Sequence, residues 1–181
     1  FGDSSLELLE EKDWVTSEYG APGVIITTPK VLERKSIDLP EDLKTQMQVA
    51  TFGYGNASTN FDIAVISTKM ASTEPPGGNA QKDPKEGENK IDLIQVAEGH
   101  LKSFESQGTK NIITKNEQFI TPNGQEGLKT YGTADFVTET GEEVRGNYVI
   151  LGFTTQNLLQ EVILVWKVGD IYADQLMERI L

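Results

Sequence analysis

Two adjacent stretches decide the fold: Tyr148-Val149-Ile150-Leu151-Gly152-Phe153 and Leu158-Leu159-Gln160-Glu161-Val162-Ile163-Leu164-Val165-Trp166. Side chains of a strand alternate between its two faces, so apolar residues at consecutive positions make both faces hydrophobic. Such strands need cover above and below. A closing helix follows: Asp170 stands at its N-cap, and Ala173, Leu176, Met177 and Ile180 repeat at helical spacing. Residues 131–181 therefore read as the scaffold of the domain, with Trp166 in its core.

Working outward, these stretches end a β-meander. Its strands are expected at 110–120, 127–138, 144–153 and 158–168. Pro122-Asn123-Gly124 and Thr140-Gly141 mark tight turns, and Asn-Gly is a strong hairpin signal. Before the meander, residues 91–107 have helical periodicity. Ile94, Ala97, Leu101 and Phe104 form the apolar stripe, with Asp92, Gln95, Glu98, Lys102 and Glu105 opposite and Gly108 as the stop.

Residues 71–90 contain three Pro, three Gly and no large apolar residue. They are expected to form a flexible surface loop, whose functional reading is a partner-binding lid. Further back, residues 46–54 and 61–67 alternate as a hairpin. Met47, Val49, Thr51 and Gly53 take one face, and Phe61, Ile63 and Val65 share a face of the second strand. Two more strand signals, 14–19 and 24–28, flank the turn Gly20-Ala21-Pro22-Gly23. Residues 31–34 read as a short strand or a connection. Residues 38–43 read as a loop or a short helix with Asp38 near its start. The opening residues 1–13 carry Asp3, Glu7, Glu10, Glu11 and Asp13 against Lys12 alone. They read as an acidic solvated leader or tether, with at most a marginal helical turn or two around Leu6, Leu8 and Leu9.

The order is strands, a long helix, a four-stranded meander and a terminal helix. It points to an α+β protein built as a three-layer α/β/α sandwich with a mainly antiparallel sheet. The 181 residues fit one domain, 14–181, after the leader. The net charge of −12 repels phosphate backbones, which argues against nucleic acid and anionic membrane surfaces. With no cysteine, disulfide and thiolate chemistry are excluded. No apolar run is long enough to span a bilayer. The chain opens on Phe1 rather than Met, which points to a removed signal or anchor or a trimmed start. The terminal helical pattern is still running at Leu181.

The residues that carry chemistry are sparse. His100 is the only histidine and sits beside Ala97 and Leu101, at the border of the helix's buried stripe. That position fits a structural histidine better than a general base. Asp83-Pro84-Lys85-Glu86-Gly87-Glu88-Asn89 and Glu139-Thr140-Gly141-Glu142-Glu143 offer oxygens without calcium-loop spacing. Gly53-Tyr54-Gly55-Asn56 lacks phosphate-loop spacing. No catalytic, cofactor-binding or metal motif emerges, so no cofactor is expected. Asn56-Ala57-Ser58 matches a glycosylation acceptor only formally. Trp14, Tyr19, Phe52 and Tyr54 lie near turns and are the aromatics best placed to meet a ligand. Asp62 and Asp135, carboxylates within strands, carry the alternative reading of a small-ligand enzyme or hydrolase.

Three places carry a family resemblance. They are Val24-Ile25-Ile26-Thr27-Thr28-Pro29, the helix at 91–107 before the meander, and Val162-Ile163-Leu164-Val165-Trp166 followed by the helix at 170–181. This order resembles the PsbP-like superfamily, which includes DcrB-like bacterial envelope lipoproteins and a small Ran-binding nuclear protein family. The resemblance implies an α/β/α sandwich. It also implies a non-catalytic accessory or binding role. Together with the start on Phe1, the acidic leader and the absent catalytic motifs, it points to a protein partner or small ligand at a cell envelope, with a membrane tether outside these residues, the alternative being cytoplasmic. It carries over no functional residue. The first half of the chain and residues 71–90 are the expected seat of function.

Overall fold

The computed structural model describes residues 4–20, 23–55, 61–70, 91–155 and 158–181. The loop expected at 71–90, with its acidic run at 83–89, and the Asn56-Ala57-Ser58 acceptor lie outside them. Nine strands and four helices follow in the order α1 (Ser5–Glu10), β1 (Val15–Gly20), β2 (Gly23–Thr28), β3 (Glu33–Lys35), α2 (Glu41–Lys44), β4 (Met47–Tyr54), β5 (Phe61–Met70), α3 (Leu93–Ser106), β6 (Lys110–Ile120), β7 (Glu126–Val137), β8 (Glu143–Thr155), β9 (Leu158–Lys167) and α4 (Ile171–Ile180). Seven strands form one sheet in the order β3-β4-β5-β9-β8-β7-β6, and every pairing in it is antiparallel. β1 and β2 form a separate two-stranded hairpin.

The two-faced strands occupy the middle of this sheet, as their pattern demands. β9 pairs with β8 on one side and with β5 on the other, so Val162 and Leu164 look one way and Ile163 and Val165 the other. On the first face Phe61, Ile63, Val65, Val149, Val162 and Leu164 build the main core with Leu8, Tyr19, Val24, Leu32, Ala173, Leu176 and Met177. Its cover is composite: the β1–β2 hairpin over β4 and β5, and α4 over β9, with α1 against α4. On the second face a smaller core of Ala134, Tyr148 and Ile150 meets Leu101 and Phe104 of α3, which lies across β7 and β8.

The three-layer α/β/α sandwich is therefore not formed. Among the described residues strands hold 53% and helices 23%, and the fold is β-rich around a seven-stranded antiparallel sheet. The sandwich expectation counts only helices as cover and gives β1 and β2 no place outside the sheet. They instead leave it and cover part of one face, a task the sandwich assigns to helices.

Local signals explain most boundaries. Asp92 caps α3 by accepting from the backbone N–H groups of Ile94 and Gln95, and Gly108 at φ +95° ends it. Two meander turns are built alike. Gly124 and Gly141, both at φ +81°, occupy the left-handed position of turns opened by Thr121 and Thr138. The short helix α2 starts from Pro40, not Asp38, which stands outside it.

The acidic opening departs most from expectation. Residues 5–10 are a docked helix, not a solvated leader. Ser4 and Glu7 form a reciprocal capping box. Leu8 is 1% exposed in the main core. Ser5 Oγ donates to Asp170 Oδ2 at 2.9 Å, while Asp170 Oδ1 accepts from Tyr172 and Ala173 N–H. One carboxylate thus caps α4 and tethers α1 to it.

If α1 belongs to the core, Leu8→Ala lowers unfolding free energy by about 2–5 kcal/mol in urea denaturation. Leu6→Ala, on the exposed side of the same helix, changes it by less than about 0.5 kcal/mol. Equal small effects would mean that the helix is not docked in solution.

Candidate functional site: a groove beneath the start of the long helix

The Asp92 cap fixes where α3 begins, and this sets Leu93 and Ile94 opposite the far end of the β6–β7 hairpin. Between them lies an open groove of about 1130 Å³. Leu93, Ile94, Ile120 and Leu128 supply apolar lining, and Gln118, Gln125, Thr154 and Thr155 polar lining. Two of the apolar residues are strongly exposed, Ile94 at 49% and Ile120 at 68%. Gln125 is held in place by donating to the Thr154 carbonyl at 3.1 Å and to Thr155 Oγ1 at 3.0 Å. The polar edge is therefore ordered.

Leu93 and Leu128 also line a second, pinched cavity of about 10 Å³, with Val96, Thr130, Ile150 and Glu161. That is room for about one water molecule. Glu161 interrupts the apolar run of β9 and is 3% exposed, facing α3. A buried carboxylate needs a partner. α3 supplies it: His100 Nε2 lies 2.6 Å from Glu161 Oε1, across 61 residues of sequence. The only histidine is thus the polar pin between helix and sheet. Other polar groups beneath α3 are also committed. Thr130 donates to Asn116 Oδ1 at 2.8 Å, and the Tyr148 hydroxyl donates to the Ile113 carbonyl at 3.0 Å and pairs with Thr114 Oγ1.

The two strand carboxylates do not converge. Asp62 stands opposite Val165, whose face carries α3. Asp135 shares the face of Tyr131, which packs on the main core on the other side of the sheet. Sheet and strands β9 and β8 separate them. Asp135 is bound into a surface network with Arg145 at 2.9 Å and Asn111 at 2.6 Å, and these hydrogen bonds hold its pKa below the usual carboxylate range. Asp62 has the opposite tendency. Solvent still reaches the residue, yet partial burial of its carboxyl pushes the pKa up to about 6.

The aromatics singled out from sequence serve packing. Tyr19 and Phe52 stack at 5.1 Å, and the Tyr19 hydroxyl accepts from Leu32 N–H at 2.8 Å. Trp14 lies under the Arg179 guanidinium at 3.8 Å, and Tyr54 packs on the main core. Trp166 is half-buried at the core's rim, donating to Asp174 Oδ1 at 2.6 Å. At the 139–143 turn, Glu143 pairs with Lys110 at 2.5 Å. Among the described residues, no group of three or more acidic or histidine side chains is placed to hold a metal ion.

No protein-family model and no curated protein matches this chain. The groove and Glu161 both escaped the sequence reading. A lone glutamate inside an otherwise apolar strand was the available signal for the second.

Removing one partner of the pin leaves the other buried and unpaired, so His100→Ala costs roughly 2–4 kcal/mol, discounted for the partial exposure of the ring. His100→Leu combined with Glu161→Met recovers most of that loss in the same denaturation assay. Asp62 sets a pH dependence. Its folded pKa lies above its unfolded value, so its protonated form favours the folded state and this contribution fades as pH rises from about 4 to 6. Thermal melts across that window should fall more steeply with pH for the wild type than for Asp62→Asn, and parallel profiles would refute the assignment.

Proposed function

We propose that the chain is a non-catalytic binding domain whose groove takes a small, mostly apolar ligand with a polar end. The observation that carries this reading is the exposure of Ile94 and Ile120 along one groove. Isolated exposed isoleucines are ordinary, but convergent ones over an ordered polar edge make a site. Glutamine and threonine side chains at the rim offer neutral hydrogen bonds. The net charge of −12 disfavours polyanions and leaves neutral or cationic ligands.

The reading extends to an accessory role at a cell envelope, with a membrane tether outside residues 1–181. Its support is the resemblance of element order to the PsbP-like superfamily, and fractionation of cells expressing the native gene product tests it. Recovery in the cytoplasmic fraction alone would remove the envelope part.

The groove is tested with a neutral fluorescent probe such as N-phenylnaphthylamine. Ile94→Asp weakens its binding by roughly tenfold, the loss expected when one apolar contact of about 1.4 kcal/mol is removed, with the melting temperature unchanged because the site is exposed. Equal binding by wild type and variant would place the probe elsewhere and sink the assignment.

A further inference from the structure

Of the two edge strands of the main sheet, β3 has three residues and β6 has 11. Its outer backbone groups form a template for another strand. We propose that this edge pairs with β6 of a second copy, antiparallel about a two-fold axis at Asn116, so that two seven-stranded sheets join into one.

The register follows from the sequence of the strand. Side chains alternate faces, so self-pairing must set residues of like parity opposite each other. An axis at Asn116 sets Lys115 opposite Glu117 of the second copy, Ile113 opposite Phe119, Ile112 opposite Ile120 and Thr114 opposite Gln118. Opposite charges, apolar pairs and polar pairs all coincide. Neighbouring registers lose this. An axis at Lys115 or Glu117 sets that charge against its own copy, and an axis at Thr114 or Gln118 sets a charge against Ile113 or Phe119.

The strand is prepared for this pairing in three ways. Glu117 already pairs with Lys129 at 2.9 Å, and Lys115 has no ion-pair partner among the described residues. Pairing therefore extends each bridge into a Lys129–Glu117–Lys115 row across the joint. Ile113, 57% exposed, gains cover. The irregular part of β6, where the register shifts between Lys110 and Ile113 and Asn111 takes φ +50°, leaves 113–119 as the regular span that would pair, with the Ile112–Ile120 match at its border. The proposal is independent of the groove.

Because the chain has no cysteine, single substitutions report the register directly. Asn116→Cys should form an intermolecular disulfide under mild oxidation, since opposed Cβ atoms lie about 5 Å apart. Gln118→Cys should not, because its own copy sits four residues away, roughly 13 Å along the strand. Sedimentation at physiological ionic strength should show a concentration-dependent dimer. Lys115→Glu should weaken it by roughly tenfold or more, and Lys115→Glu with Glu117→Lys should restore it. Circular dichroism confirms that each variant is folded, and if a cysteine variant is not, the charge exchange decides. A wild type that stays monomeric through the micromolar range, crosslinking at 118 in preference to 116, or a Lys115→Glu variant that dimerises as well as wild type would overturn the proposal.

Discussion

The structure depends on the double-sided burial of β9. Val162 and Leu164 on one face and Ile163 and Val165 on the other cannot all be dry unless both faces of the sheet are covered where this strand runs. β5 and β8 flank it, the two other strands with the deepest side chains, Phe61, Val65, Tyr148 and Ile150. The covers are offset. α4 and the β1–β2 hairpin sit over the β4–β5–β9 side of one face, and α3 sits over the β7–β8 side of the other. The sheet thus carries one large core and one small core on opposite sides, displaced from each other.

That offset places the groove and the His100–Glu161 pair. α3 bridges only β7 and β8, so its first turn stands proud of the β6–β7 end and opens the groove. Its tie to the centre of the sheet is polar. The His100–Glu161 pair passes from helix to β9 where the apolar contacts of α3 run out. A buried polar pair is a weak source of net stability, but breaking it is costly, and the geometry it fixes is specific. The pin therefore ties the middle of α3 to β9.

Much of the fold was legible because local signals settled it. The Asn-Gly and Thr-Gly turns, the cap Asp170 and the stripe at Ala173, Leu176 and Met177 act within a few residues, and each stands where expected, whereas Asp92, read as part of the helix's polar side, caps α3 instead. What failed was non-local. Nothing within residues 14–28 says that their hairpin leaves the sheet to become a cover. Leu8 in an acidic segment has the composition of a solvated leader, and only Asp170, 165 residues from Ser5, turns it into a docked helix. Asp62 and Asp135 both looked like strand carboxylates, and strand parity relative to a sheet order not yet known puts them on opposite faces. The groove at the junction of α3 with the meander had no counterpart among the residues singled out from sequence.

The most direct test of this account is native-state amide hydrogen exchange followed by NMR. If β9 is the strand on which both layers depend, the slowest amides are those of residues 162–165, exchanging only through global unfolding, while α1, the β1–β2 hairpin and α3 open at lower free energy. Amides in α3 or in the hairpin that outlast those of β9 would contradict it, because a cover cannot be more stable than the strand it is built upon.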